Sequence, residues 1–183
     1  LTEELEAVVL QGHNIVGDAT MRQLLAILTG KREEELPPAR KGFSDGVQLD
    51  GFPFVWKDFV EQGFVTLYGE DDVGTGAFQF RLKGFKRQPT DHYMRPFFQQ
   101  AEQEYRHHPY HCFWNGTQHS LFWDYHHQFL TRYPPDVRKF SLMLNSLLSH
   151  ENLHTAALLD PGFKEHILTL KESGVLNSSL LIV

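Results

Sequence analysis

Three groups of residues in this chain have the types and spacing to do chemistry. The first centres on Thr20, in VGDATMRQLLAILTGK (Val16 to Lys31), two residues after Asp18 and ahead of Leu24, Leu25, Ile27 and Leu28. One reading of this junction is a helix cap, in which Asp18 or Thr20 satisfies free backbone N–H groups. The other makes the Thr20 hydroxyl a nucleophile at the positive end of a helix dipole, suited to contacting or attacking a phosphate or sulfate. An alcohol nucleophile needs activation, and metal coordination is one route.

The second group is His150 and His154, with Glu151 and Asp160 nearby, in SLLSHENLHTAALLD. Mixed imidazole and carboxylate donors suit a zinc- or manganese-like divalent ion, although the spacing matches no compact zinc motif. The plain alternative is a polar strand-to-loop junction. The third group, Glu70-Asp71-Asp72, is either a solvated acidic turn or a set that holds a metal or positions a substrate. Two other histidine stretches are read as structural. His107 to Cys112 (HHPYHC) lacks a second thiolate. His126 and His127 lie in WDYHHQFL among Phe122, Trp123 and Phe129, so at most one of them faces inward.

The elements that must position these groups follow from periodicity and punctuation. Strands are expected at Ala7 to Leu10 (AVVL), Phe64 to Tyr68, Phe140 to Leu148 and Leu180 to Val183. Helices are expected at Met21 to Leu28, Phe54 to Glu61, His92 to Tyr105, Ser120 to Tyr133 and Asp160 to Lys171, stopped by Gly30, Gly63, Pro134-Pro135 and Gly174. Phe78 to Lys86 reads as a second strand or an irregular connection. Alternating strands and helices predict a mostly parallel α/β sheet flanked by helices. Ligands in such sheets gather beyond the carboxyl ends of the strands. His13 to Thr20, Glu70 to Asp72 and Ser149 to His154 each follow a predicted strand, which places all three groups on one rim.

Composition narrows the class. At 183 residues, 41% hydrophobic with 15 Phe, the chain is ordinary globular material of about one domain, with a well-filled aromatic core. A net charge of −6 and the absence of a continuous Lys/Arg run argue against nucleic acid as a partner. The single cysteine, Cys112, permits no internal disulfide. The start at Leu1 and the end inside LLIV suggest an internal piece of a longer domain, so a missing leader says nothing about location. Sequons at Asn115 and Asn177 would permit glycosylation in a secreted protein.

These same segments resemble the DUF229 family, a metazoan group within the alkaline phosphatase/sulfatase superfamily. VGDATMRQLLAILTGKREEELP is similar to that family's VG-x-N-T-x-P-N…LTGK…EELP, and GFVTLYGEDD to its GYVT…ED strand. RLKGFKRQPTDHYMRPFF is similar to its most distinctive run. SLLSHENLHTAALLDPGFKEHILTLKESGVLNSSLLIV resembles its SHD…D…L…G-x-L-x-N-T segment.

The resemblance implies an alkaline phosphatase-like core, of which residues 1–183 are the central part, and hydrolysis or transfer at phosphate or sulfate esters with zinc or manganese. It places Thr20 at the nucleophile position, in contact with the metal, and His150 on the ester oxygens or a metal. Glu70 and Asp71 match an acidic pair. Sulfatases carry a cysteine at the nucleophile position, and a threonine there tilts the reading toward phosphoryl chemistry.

The family's T-x-P-N is Thr20-Met21-Arg22-Gln23 here, its preceding asparagine is Ala19, and Arg22 is a candidate anion clamp. The remaining metal ligands are expected before Leu1 and after Val183, so the 183 residues alone are expected to be inactive. The substrate class is a small-molecule, glycan or lipid ester, and the expected location is extracellular or the secretory pathway. Two alternatives are a non-catalytic extracellular binding protein that retains the fold and a truncated product without a stable one.

Overall fold

The computed structural model describes residues 1–105, 112–113, 116–150 and 153–183. In chain order the elements are α1 (Thr2–Leu5), α2 (Thr20–Thr29), α3 (Val55–Glu61), β1 (Val65–Glu70), β2 (His92–Tyr93), α4 (Arg95–Tyr105), β3 (Cys112–Phe113), β4 (Gly116–Thr117), α5 (Gln118–Arg132), β5 (Lys139–Leu144), α6 (Leu153–Ala156) and α7 (Asp160–Glu172). The predicted architecture is present: β1 is the middle of a three-stranded parallel sheet ordered β2-β1-β5, with helices around it. β3 and β4 form a separate two-residue antiparallel pair.

β1 carries the β-branched and aromatic residues that a doubly covered strand needs. Alternation along it serves two cores. Tyr68 joins Phe54, Trp56, Phe78 and the α2 residues Met21, Leu25 and Leu28. Leu67 joins Phe98, Phe122 and Phe129 of α4 and α5. Trp56 stacks between Phe54 (centroids 4.1 Å apart) and Tyr68 (6.0 Å), and burial of each such ring contributes roughly 1.5–3 kcal/mol. Gly69 is required by packing, since a Cβ there would lie 2.7 Å from Met143 Sδ and 3.0 Å from Met94 Sδ. At the other end of β1, Thr66 N and Oγ1 both donate to Asp91 Oδ2 at 2.8 Å, fixing the approach of β2.

Two expected strands do not form. Residues 6–10 are irregular, with Val8 and Leu10 85% and 74% exposed, and residues 179–183 are irregular, with Leu180 and Ile182 88% and 80% exposed. Their composition favours strands, but a strand exists only where a neighbour pairs its N–H and C=O groups. The three-stranded sheet supplies no neighbour to either segment. Three further expectations shift. The helix expected from His92 begins at Arg95, because His92 and Tyr93 pair with β1 instead. The strand expected from Phe140 to Leu148 ends at Leu144. Phe78 to Lys86 is irregular, held to the 39–41 segment by a single antiparallel bridge between Arg40 and Leu82. α5 begins as its sequence suggests: the Thr117 hydroxyl caps it by accepting Ser120 N at 3.2 Å.

Candidate functional site

The acidic run at the carboxyl end of β1 is buried, which excludes the solvated-turn reading. Glu70 and Asp71 are each 1% exposed. Glu70 Oε2 accepts the Tyr68 hydroxyl at 3.0 Å, and Oε1 accepts the backbone N–H of Ala77. Burial pushes the Glu70 carboxyl up to about 7, against these two hydrogen bonds and the nearby Arg95 charge. Gly76 lies over the same group, and a Cβ there would sit 2.6 Å from Arg95 Nη1 and 3.0 Å from Glu70 Oε2. Asp72 turns the chain by accepting Thr75 N at 3.0 Å.

Asp71 has a different task. Its Oδ1 accepts Ser146 N at 2.7 Å and Leu147 N at 3.2 Å, and Oδ2 accepts Asn145 Nδ2 at 2.6 Å. Burial raises this carboxyl to about 6, opposed by those backbone donors. Because β1 and β5 are parallel, with Glu70 beside Leu144, the two strands end on one edge, and Asp71 ties the loop after β5 to the end of β1. That loop leads to His150, which is exposed and whose N–H donates to Ser146 O at 2.9 Å. Two of the three predicted groups therefore share a rim. His154 is exposed on α6, and Glu151 lies outside the described residues.

Thr20 opens α2 without capping it. The N-cap is Ala19, at φ 85° and ψ 144°, and no side chain caps the helix. The cap reading of Asp18 or Thr20 is thus corrected: Thr20 is already the first helical residue, one position past the place from which a hydroxyl reaches back to N–H groups. Gln23 holds the incoming loop instead, accepting Val16 N at 3.1 Å and donating to Gly17 O. The Thr20 hydroxyl is exposed and makes no hydrogen bond among the described residues. Arg22 is engaged by two acids, with Nε 2.9 Å from Glu33 and Nη2 3.4 Å from Glu34.

No strand precedes Thr20, so the sheet does not deliver it to the rim as it does Glu70, Asp71 and the loop ending at His150. Its link is through packing, because the adjacent Met21 shares a core with Tyr68, Ala77 and Phe78. Among the described residues no group of three or more His, Cys, Asp or Glu side chains is placed to hold a metal ion, so they do not by themselves fit zinc or manganese. The expected glycosylation site Asn177 is exposed on a 3₁₀ turn, Val175–Ser178; Asn115 and the stretch from His107 to His111 lie outside the described residues.

One cluster escaped sequence reading. His126 Nδ1 and His166 Nε2 are 2.9 Å apart, His126 Nε2 is 2.8 Å from Ser141 Oγ, and Trp123 stacks on His166. The pair bridges α5, α7 and β5. Burial lowers His126 to about 3 and His166 to about 4, so both are neutral at pH 7. The doublet His126-His127 was the available signal, and the inward member is His126. Its partner lies 40 residues away, where nothing local marks it.

Among the described residues no helix is long and apolar enough to cross a membrane. The model of a family described as "Protein of unknown function (DUF229)" matches residues 1–183, and the chain belongs to that family. No curated protein and no solved structure matches the chain.

Proposed function

We propose that this DUF229 protein hydrolyses or transfers phosphate or sulfate esters with the help of a divalent ion, zinc or manganese, and that Thr20 is the nucleophile. The observation that carries the reading is the Thr20 hydroxyl, exposed and without a hydrogen bond among the described residues, at the first turn of α2. It is presented by an alanine at φ 85°, a backbone position that costs about 1–3 kcal/mol in a non-glycine residue and is typical of functional sites. Thr20 Oγ1 would form a bond to phosphorus or sulfur as the ester oxygen departs, the hydroxyl proton ending on the released alcohol.

The described residues do not assemble a ligand set for the ion, and no step is derived through it. The chain's own contribution is the nucleophile and the groups around the anion. Arg22 is the proposed clamp: its Nη2 contact with Glu34 is the longer of its two ion pairs and turns most easily to a substrate oxygen. His150 is proposed to contact the ester from the β5 loop, which Asp71 anchors. Asn177 and Asn115 are proposed glycosylation sites, in keeping with an extracellular or secretory location.

The experiment compares Thr20→Ala, Thr20→Ser and parent in the full-length protein on phosphodiester, phosphomonoester and sulfate ester substrates with zinc or manganese. A loss on the order of 10³-fold or more in kcat for Thr20→Ala, partly restored by Thr20→Ser, is expected. Equal rates for Thr20→Ala and parent would remove Thr20 from the mechanism.

A second reading, an extracellular binding protein that retains the fold without turnover, is favoured by one observation. Among the described residues no three His, Cys, Asp or Glu side chains are placed to hold a metal ion beside the anion groups. Tight ester binding with no turnover by the parent would select it.

A further inference from the structure

Three buried side-chain polar atoms among the described residues have no hydrogen-bond partner: Gln79 Oε1, Arg95 Nη1 and Trp123 Nε1. Two of the three meet at one place. A Cβ built on Gly76 would lie 2.6 Å from Arg95 Nη1, 3.0 Å from Glu70 Oε2 and 3.3 Å from Gln79 Oε1. The bare face of Gly76 is therefore ringed by a guanidinium N–H, a carboxyl oxygen and an amide oxygen. Glu70 brings the end of β1 to this ring, Gly76 and Gln79 the connection that follows it, and Arg95 the first residue of α4.

Each member is fixed by its other atoms. Arg95 Nη2 donates to Val73 O at 3.0 Å, and Gln79 Nε2 donates to the Tyr93 hydroxyl at 2.6 Å. Gln79 N also donates to Gly76 O at 3.2 Å, which ties the two residues of the connection together. Glu70 Oε2 accepts the Tyr68 phenol, and a carboxyl oxygen has a second lone pair for another donor. Arg95 Nη1 makes no direct bond to that oxygen, although both lie within 3.0 Å of one point. A charged N–H and an amide oxygen are unfavourable in the interior without partners, and ordered water is what satisfies them where protein groups do not.

We infer that this ring is the binding site of one buried water molecule, which joins Arg95 and Gln79 to Glu70. Its oxygen accepts from Arg95 Nη1, and its two hydrogens go to Glu70 Oε2 and Gln79 Oε1, the three bonds a buried water typically makes. The pattern of donors and acceptors excludes other occupants. A metal or ammonium ion would face the guanidinium charge, and a halide or phosphate oxygen would face two acceptor oxygens. Turning the Gln79 amide over, so that Oε1 accepts from the Tyr93 hydroxyl, makes Gln79 a second donor and leaves the water bonded to all three groups.

Arg95 is thereby a positioning residue for the rim. It reaches Glu70 through the water and Val73 directly, so that α4, the connection after β1 and the end of the central strand are tied at one point. Glycine is needed at position 76 because a side chain would crowd the three groups that hold the water. The inference is independent of the ester chemistry proposed above, since it involves none of Thr20, Arg22 and His150.

The test is a crystal structure of the full-length protein at a resolution that shows ordered water, together with water-to-protein Overhauser measurements in solution. One peak within about 3.2 Å of Arg95 Nη1, Glu70 Oε2 and the Gln79 amide is expected, with a water cross-peak at the Gly76 α-protons. Gly76→Ala and Arg95→Met should each abolish the crystal peak, and Arg95→Met should also abolish the cross-peak. Arg95→Met adds no bulk at Gly76 and so serves if the alanine variant does not fold. A parent with neither peak nor cross-peak overturns the inference, as does a direct Arg95–Glu70 bond or an anomalous signal that identifies an ion. Retention of both signals in Arg95→Met also overturns it, because the guanidinium would then not be what holds the water.

Discussion

Tyr68 and Glu70 stand two residues apart on the same side of β1, and the phenol donates to the carboxylate at 3.0 Å with both groups buried. The carboxyl is held near 7 in the fold against 4.5 outside it. The folded state therefore binds the extra proton across that window. Its contribution to stability is fully present below about pH 4.5 and is lost as pH rises through about 7. Asp71, raised from 3.8 to about 6, acts in the same direction. The stability difference between the parent and Glu70→Gln, from chemical denaturation, is expected to move against the parent as pH rises from 5 to 7.5. A constant difference would mean that Glu70 ionises normally.

The histidine pair works in the opposite direction. His126 and His166 are lowered from 6.5 to about 3 and about 4, so the unfolded chain binds the proton more readily. Their contribution is present above pH 6.5 and is lost as pH falls through about 4. Because Glu70 and Asp71 act oppositely over the same range, the readout is the stability difference between the parent and the variant with both histidines replaced by leucine, which should move against the parent as pH falls from 6.5 to 4.5. A parent-to-variant difference that stays constant across that range would contradict the assignment.

Asp71→Ala would leave Ser146 N and Leu147 N without their acceptor. A destabilisation of about 2–3 kcal/mol is expected. Amide hydrogen exchange should locate it, with protection lost at Ser146 and Leu147 but kept in α2. Protection that survives at these two amides would show that the loop is held by other contacts.

Ala19→Gly should stabilise the protein, by about 1 kcal/mol or more, because glycine accepts φ 85° without a Cβ penalty. Urea midpoints measure the gain. If the strain serves the Thr20 hydroxyl, the more stable variant should also be the less active one on the esters named above.

The sequence made the covered interior legible and the edges less so. Val65 to Tyr68 is β-branched or aromatic at all but the apolar Leu67, and Thr66 to Tyr68 are buried, so composition and structure agree. α5 and α7 have clear stops in Pro134 and Gly174. AVVL and LLIV have strand composition too, but pairing is supplied by other segments and cannot be read locally. The two-residue β2 is too short for any period to appear.

The burial of Glu70 and Asp71 was likewise hidden, since a charge run reads as solvated until its partners are known. Those partners, at Ala77 and at Asn145 to Leu147, lie seven to seventy-six positions along the chain.

A single carboxylate, Asp71, closes the seam between the ends of two neighbouring strands. The rim is consequently one mechanical piece: a ligand that shifts the His150 loop must pull on the residue next to Glu70. Injury anywhere along that edge should spread, so that its residues fail together rather than one at a time.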